Sequence, residues 1–127
     1  MNIVDSSCWL EYFAGSNVGE QVASVVQATS DLVVPAITLY EVFKKLLIEL
    51  DEDRALLAVA HMKQGQVVSL DGDMAIYAAK LGRDLGLAMA DSTIYATAQR
   101  LGCTLWTQDA HFRSLSGVRY FEKGKSV

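Results

Sequence analysis

Short β-branched runs alternate with longer segments of helical periodicity along this chain, and few architectures tolerate that alternation. Asn2 to Asp5, Leu32-Val33-Val34, Val67-Val68-Ser69-Leu70 and Thr104-Leu105-Trp106 read as strands, and Val118-Arg119-Tyr120 as a short final strand at an edge. Between them, helical recurrence appears in Trp9-Tyr12-Phe13, with Ser6 or Ser7 as the cap, and in Val18 to Ala28. After Pro35, the residues Leu39, Val42, Phe43, Leu46, Leu47 and Leu50 form one stripe, followed by a helix from about Glu52 to Met62. Asp71 or Asp73 caps a helix running to Gly86, and a last helix spans about Met89 to Leu101. Strands that alternate with helices in this way pair in parallel and are covered on both faces. The expected fold is therefore a three-layer α/β/α arrangement around a central parallel sheet, in one domain over 1–127.

Composition narrows the function classes. A formal charge of −4 and a pI near 5.0 argue against coating nucleic acid by bulk electrostatics, while leaving room for a local basic strip. No basic segment, apolar run and small-residue cleavage site open the chain, so a cytoplasmic location is expected. Pro35, Glu41 and Lys44-Lys45 interrupt the most apolar region well short of the ~20 residues that span a membrane, so no membrane partner is expected. Cys8 and Cys103 are too few for a disulfide framework or zinc knuckle and read as small buried hydrophobes.

Four carboxylates stand beside these apolar segments. Asp5 closes the first strand, Glu41 lies within the long third helix, Asp91 stands near the start of the last helix, and Asp109 follows the strand around Trp106. Each alone has a structural reading: Asp5, Asp91 and Asp109 as N-caps, Glu41 as a capping-box partner of Thr38 or an ion-pair partner of Lys45. Together they read differently, because ligands of open α/β folds gather at the carboxyl ends of the strands, where this topology would collect all four. Like charges so placed resist joint ionisation, and a hard divalent cation relieves the conflict. An all-oxygen donor set suits Mg²⁺ or Mn²⁺. Ser6 and Thr107 supply nearby hydroxyls that can hold a carboxylate or a phosphate oxygen. Their alternative readings are a helix cap and a strand residue.

The segments Ile3-Val4-Asp5-Ser6, Ile37-Thr38-Leu39-Tyr40-Glu41-Val42, Ala90-Asp91-Ser92-Thr93-Ile94-Tyr95-Ala96-Thr97-Ala98 and Leu105-Trp106-Thr107-Gln108-Asp109 resemble those of PIN-domain ribonucleases, specifically the VapC-type toxins of toxin–antitoxin modules. The resemblance covers essentially the whole chain. It implies that Asp5, Glu41, Asp91 and Asp109 bind Mg²⁺ or Mn²⁺ with Ser6 and Thr107 in support. It further implies an RNA substrate cut to leave a 5′-phosphate and a 3′-hydroxyl, a homodimer, and inhibition by a cognate antitoxin. Two positions depart from the pattern: Gln108 stands where Asn or Arg is frequent, and Ser92, a candidate substrate contact, where Ala is common.

Other polar residues are assigned lesser roles. Lys44 and Lys45 share a helix side with Glu41 and are candidate RNA-backbone contacts. His61 reads as a solvated surface residue, His111 as a group near the pocket rim, and Trp9, Tyr12 and Phe13 as core or dimer contacts. Two competing functions are a histidine-based ribonuclease leaving a 2′,3′-cyclic phosphate and a non-catalytic RNA-binding or phospho-receiver module with Asp71 as acceptor.

Overall fold

The computed structural model describes residues 1–122. Its sheet is built from β1 (Asn2–Val4), β2 (Leu32–Pro35), β3 (Gln66–Val68), β4 (Thr104–Thr107) and β5 (Val118–Tyr120), all parallel, in the order β3-β2-β1-β4-β5. The connecting helices are α1 (Ser6–Ala14), α2 (Asn17–Gln27), α3 (Ala36–Glu49), α4 (Glu52–Met62), α5 (Gly72–Leu85) and α6 (Met89–Leu101). The expected three-layer α/β/α architecture is thus the observed one.

Successive residues of a strand point to opposite faces, and the two cores follow that period. Val4, Leu32 and Val34 join Cys8, Trp9, Val22, Val42, Leu46 and Met62 in the core beneath α1 to α4. Ile3, Val33 and Leu105 face the other way, onto Ile94, Tyr95 and Ala98 of α6 and onto Phe112. With both faces covered, the central strands carry no solvated side, which is why they read as unbroken apolar runs. β3 and β5 are the edges. The β3 ladder covers Gln66–Val68, one residue earlier than the apolar run predicts, and Ser69-Leu70 lies beyond it.

The N-terminal end of α1 builds part of the site. α1 is capped by Asp5, whose carboxylate accepts from the Ser6 amide at 2.9 Å, so neither Ser6 nor Ser7 is the cap. Asp71 caps α5 through the Met74 amide at 2.8 Å, with Asp73 in the first turn. Ala88, which offers no side-chain acceptor, precedes α6, so Asp91 lies inside the first turn and is not a cap. Thr38 donates to the Pro35 carbonyl and forms no capping box with Glu41, while Lys45 pairs with Glu49 at 3.0 Å.

Two packing expectations are corrected. Only part of the α3 stripe is covered: Val42 and Leu46 are buried, whereas Leu47 and Leu50 are 41% and 49% exposed. α4 folds back on α3 with Ala55, Ala58 and Met62 inward, and that contact covers the Val42–Leu46 line and leaves the C-terminal leucines open. His61 is not a solvated residue. It is half-buried with its ring 5.5 Å from Tyr12 and 5.8 Å from Phe13, centroid to centroid, and its buried Nε2 has no hydrogen-bond partner among the described residues. The helical spacing that placed it at the end of α4 could not show that α1 turns its aromatic face to the same place. Trp9 is fully buried and Tyr12 and Phe13 pack against the core, as expected for core residues. Both cysteines are free and buried.

A close helix approach fixes α1 against α2. A Cβ on Gly19 would sit 2.7 Å from the Tyr12 Cα, so only glycine admits this contact.

Candidate functional site

The chain leaves β1 toward β2 and β3 on one side, then returns across the sheet to β4 on the other side of β1. That reversal opens a crevice at the carboxyl ends of β1 and β4, the place where open α/β sheets bind ligands. Asp5 follows β1 directly and its amide donates to the Trp106 carbonyl of β4 at 2.9 Å, so the strand pairing itself places the carboxylate.

A continuous set of hydrogen bonds extends from that carboxylate. Thr107 Oγ1 donates to Asp5 Oδ2 at 2.7 Å and accepts from the Asp109 amide at 2.9 Å. Ser6, whose amide holds Asp5 Oδ1, turns its hydroxyl to Glu41 Oε1 at 2.7 Å and so links α1 to α3. Asp109 Oδ1 accepts from the His111 amide at 2.9 Å and lies 2.8 Å from His111 Nδ1. The same ring nitrogen stands 3.8 Å from Asp91 Oδ2. Asp91, Asp109 and His111 offer ligand atoms all within 4.8 Å of one another, a spacing suited to one cation.

Electrostatics joins the remaining pairs. Burial pushes the Asp5 carboxyl up to about 6 from 3.8, against the hydrogen bonds from Thr107 and Ser6, and the charges of Asp91 and Glu41 push it the same way. Asp91 is also raised, first by desolvation and then by the charges of Asp109 and Glu41, with His111 opposing. Asp5 therefore feels Asp91 and Glu41, and Asp91 feels Asp109 and Glu41. The charges of Glu41 and Asp109 thus bear on Asp5 and Asp91, the two carboxyls that burial makes costly to ionise. The group therefore gains from a cation, and its oxygen donors fit a hard divalent ion.

The other expected residues divide. Lys44 and Lys45 line a shallow 260 Å³ depression together with Glu41 and Tyr40, with the Lys44 ammonium 5.7 Å from the Tyr40 ring centre. Ser92 is not brought to the carboxylates: its hydroxyl donates to the Met89 carbonyl at 2.9 Å and its side chain packs toward Gly82 of α5. One residue earlier on the same helix, Asp91 faces the crevice, as a helical step of about 100° permits. His111 stands closer than the sequence indicates. The signal was its place two residues after Asp109, which a single 3₁₀ turn at Ala110–Phe112 converts into a side-chain contact. Cys8, beside Asp5, has its thiol pushed up to about 12 by burial and by that carboxylate's charge, so it supplies no thiolate.

Comparison with known proteins bears on the fold that holds this site. No curated protein matches the sequence. Among solved structures, a toxin–antitoxin complex from Klebsiella pneumoniae aligns with a TM-score of 0.77 at 21% identity, covering 94% of this chain and 96% of that one. DNA-bound VapBC from Salmonella typhimurium aligns with 0.72 at 20% identity, over 95% and 98% of the two chains. The sarcin–ricin-loop-cleaving toxin VapC20 of Mycobacterium tuberculosis gives 0.68 at 16% identity, over 96% and 90%. At these identities the likeness is one of fold. The model of the PIN domain family matches residues 3–118, nearly the whole described chain, and the protein belongs to that family.

Proposed function

We propose that the protein is a Mg²⁺- or Mn²⁺-dependent endoribonuclease of the VapC type, acting as the toxin of a toxin–antitoxin pair. The observation that carries this reading is geometric: buried Asp5, held by Thr107 at the carboxyl end of β1, stands in a crevice with Glu41, which Ser6 holds, and with Asp91 and Asp109, whose oxygens approach each other closely enough for one cation. Asp5, Glu41, Asp91 and Asp109 would hold the ion, and its positive charge acidifies an attacking water and steadies the leaving oxygen of an RNA phosphodiester. Thr107 and Ser6 fix the orientation of Asp5 and Glu41 through their hydroxyls. A carboxylate left free of the ion can accept the proton of the attacking water, and Lys44 and Lys45 beside Glu41 offer charge to the RNA backbone.

Antitoxin inhibition belongs to the same proposal, supported by the fold shared with chains from toxin–antitoxin complexes, including FitAB bound to a DNA fragment, and a homodimer is proposed with it from the resemblance to VapC-type toxins. Cleavage assays test the core of it. Asp5→Asn and Asp91→Asn should each abolish RNA cleavage and growth inhibition while the protein stays folded, EDTA should stop the wild type, and Mg²⁺ or Mn²⁺ should restore it. Cleavage retained in either variant refutes the assignment. The pairing of His111 with Asp109 favours one rival, a metal-free route with His111 as base. Products ending in 2′,3′-cyclic phosphate would select that route, whereas 5′-phosphate and 3′-hydroxyl ends select the metal-dependent one.

A further inference from the structure

A cavity of about 390 Å³ opens beside the carboxylates, lined by Ser7, Gln108, Asp109, Ala110 and Tyr120. Gln108 is only 5% exposed and is one of the lining residues. A carboxamide offers both a donor and an acceptor, the two functions that pair with a base edge. Sheet geometry places a ring in the same cavity: Tyr120 of β5 pairs in register with Thr107 of β4, the residue whose hydroxyl holds Asp5. Tyr120 is half-buried and has the Arg113 guanidinium 5.4 Å from its ring centre.

We infer that this cavity is a nucleobase subsite, in which Tyr120 stacks on an unpaired base next to the scissile phosphate and the Gln108 carboxamide hydrogen-bonds that base's edge. The inference rests on the ribonuclease reading and deepens it by placing one nucleotide of the substrate. Three observations converge. The cavity shares Asp109 with the acidic crevice, so a base within it lies beside the place proposed for the reacting phosphate. Its lining includes an aromatic residue, Tyr120, and a carboxamide residue, Gln108, the side-chain types by which proteins hold splayed-out RNA bases. The chain's charge of −4 makes grip by backbone charge alone a weak source of affinity, so base stacking has a correspondingly larger share. A protein or lipid occupant would not explain the carboxylate shared with the crevice.

The test uses the full chain and a short RNA oligonucleotide spanning a cut site mapped in total RNA, with single abasic replacements on either side of the cut. Wild-type protein should lose roughly 10- to 100-fold in cleavage rate at one abasic position, consistent with stacking and edge contacts to one base. Tyr120→Leu should lose a similar factor on intact RNA and become insensitive to that abasic replacement, while Tyr120→Trp retains both rate and sensitivity. Gln108→Leu should narrow the difference between substrates carrying different bases at that position without changing the others. Thermal melts of each variant identify any that fail to fold, and the tryptophan variant then decides alone: retained abasic sensitivity supports the subsite, lost sensitivity refutes it. Equal abasic sensitivity in wild type and Tyr120→Leu overturns the inference while leaving the nuclease reading intact. Absence of any metal-dependent RNA cleavage by wild type overturns that reading and the inference with it.

Discussion

Replacing Asp5 by asparagine should stabilise the metal-free protein at neutral pH, even though it removes the residue on which the proposed reaction depends. The folded state holds the Asp5 carboxyl at about 6, whereas the unfolded chain returns it to 3.8. The native state therefore binds the proton more tightly, and its stability falls as pH rises from about 4 to about 6. The full penalty, reached above the folded value, is ~3 kcal/mol. Asparagine removes it and still presents an oxygen to the Ser6 amide. It also turns an NH₂ toward the Thr107 hydroxyl, which now donates at 2.7 Å, and losing that bond costs ~1–2 kcal/mol. The net expectation at pH ~7 in EDTA is a gain of ~1–2 kcal/mol, disappearing or reversing near pH 4, where the wild-type carboxyl is protonated. Urea unfolding followed by circular dichroism at both pH values measures this, and the difference between variants cancels the titration of the exposed carboxylates. Added Mn²⁺ should then stabilise wild type more than Asp5→Asn, by mass action on the native state. An Asp5→Asn protein no more stable than wild type at neutral pH, or a difference unchanged between the two pH values, would refute the claim that burial strains this carboxyl.

Further expectations follow from neighbouring contacts. Thr107→Val removes both the bond to Asp5 and the acceptor of the Asp109 amide, so it should destabilise by ~1–3 kcal/mol and weaken Mn²⁺ binding in calorimetry; unchanged binding would show that Thr107 does not orient the site. Gly19→Ala forces α1 and α2 apart and should lower stability by ~1–3 kcal/mol or more, readable as a drop in Tm, whereas a neutral result would mean the helices separate freely. Cys8 should resist thiol reagents in the folded protein at pH ~8 and react only on unfolding, and rapid native-state labelling would contradict its burial and raised value.

How much of this was legible in the chain depends on the range of the interaction. Element types came through wherever one local pattern decided them: the β-branched run Leu32-Val33-Val34 became a strand buried on both faces, and Gly86 and Gly102 end their helices in the left-handed conformation. Where a residue's environment was made by a distant element, local pattern misled. His61 read as solvated because nothing in its own helix announces the ring face of α1, and Leu47 and Leu50 read as core because periodicity cannot say how far α4 extends its cover. Among candidate site residues, Asp5 and Asp109 were readable from their position after strands. Ser92 was not, since a single helical step separates its place against α5 from the crevice that Asp91 faces.

The order of apolar runs, breaks and acidic residues by itself determined a parallel α/β sheet with carboxylates near its strand ends, because alternation and strand burial are properties of local sequence. Only tertiary structure decided what those carboxylates experience. The pairing of β1 with β4 sets Thr107 against Asp5, and the packing of α1 on α3 gives Glu41 the Ser6 hydroxyl. Burial, shared charge and hydrogen-bond direction depend on separations of a few ångströms between residues about 35 to 100 positions apart, and no periodicity encodes such distances.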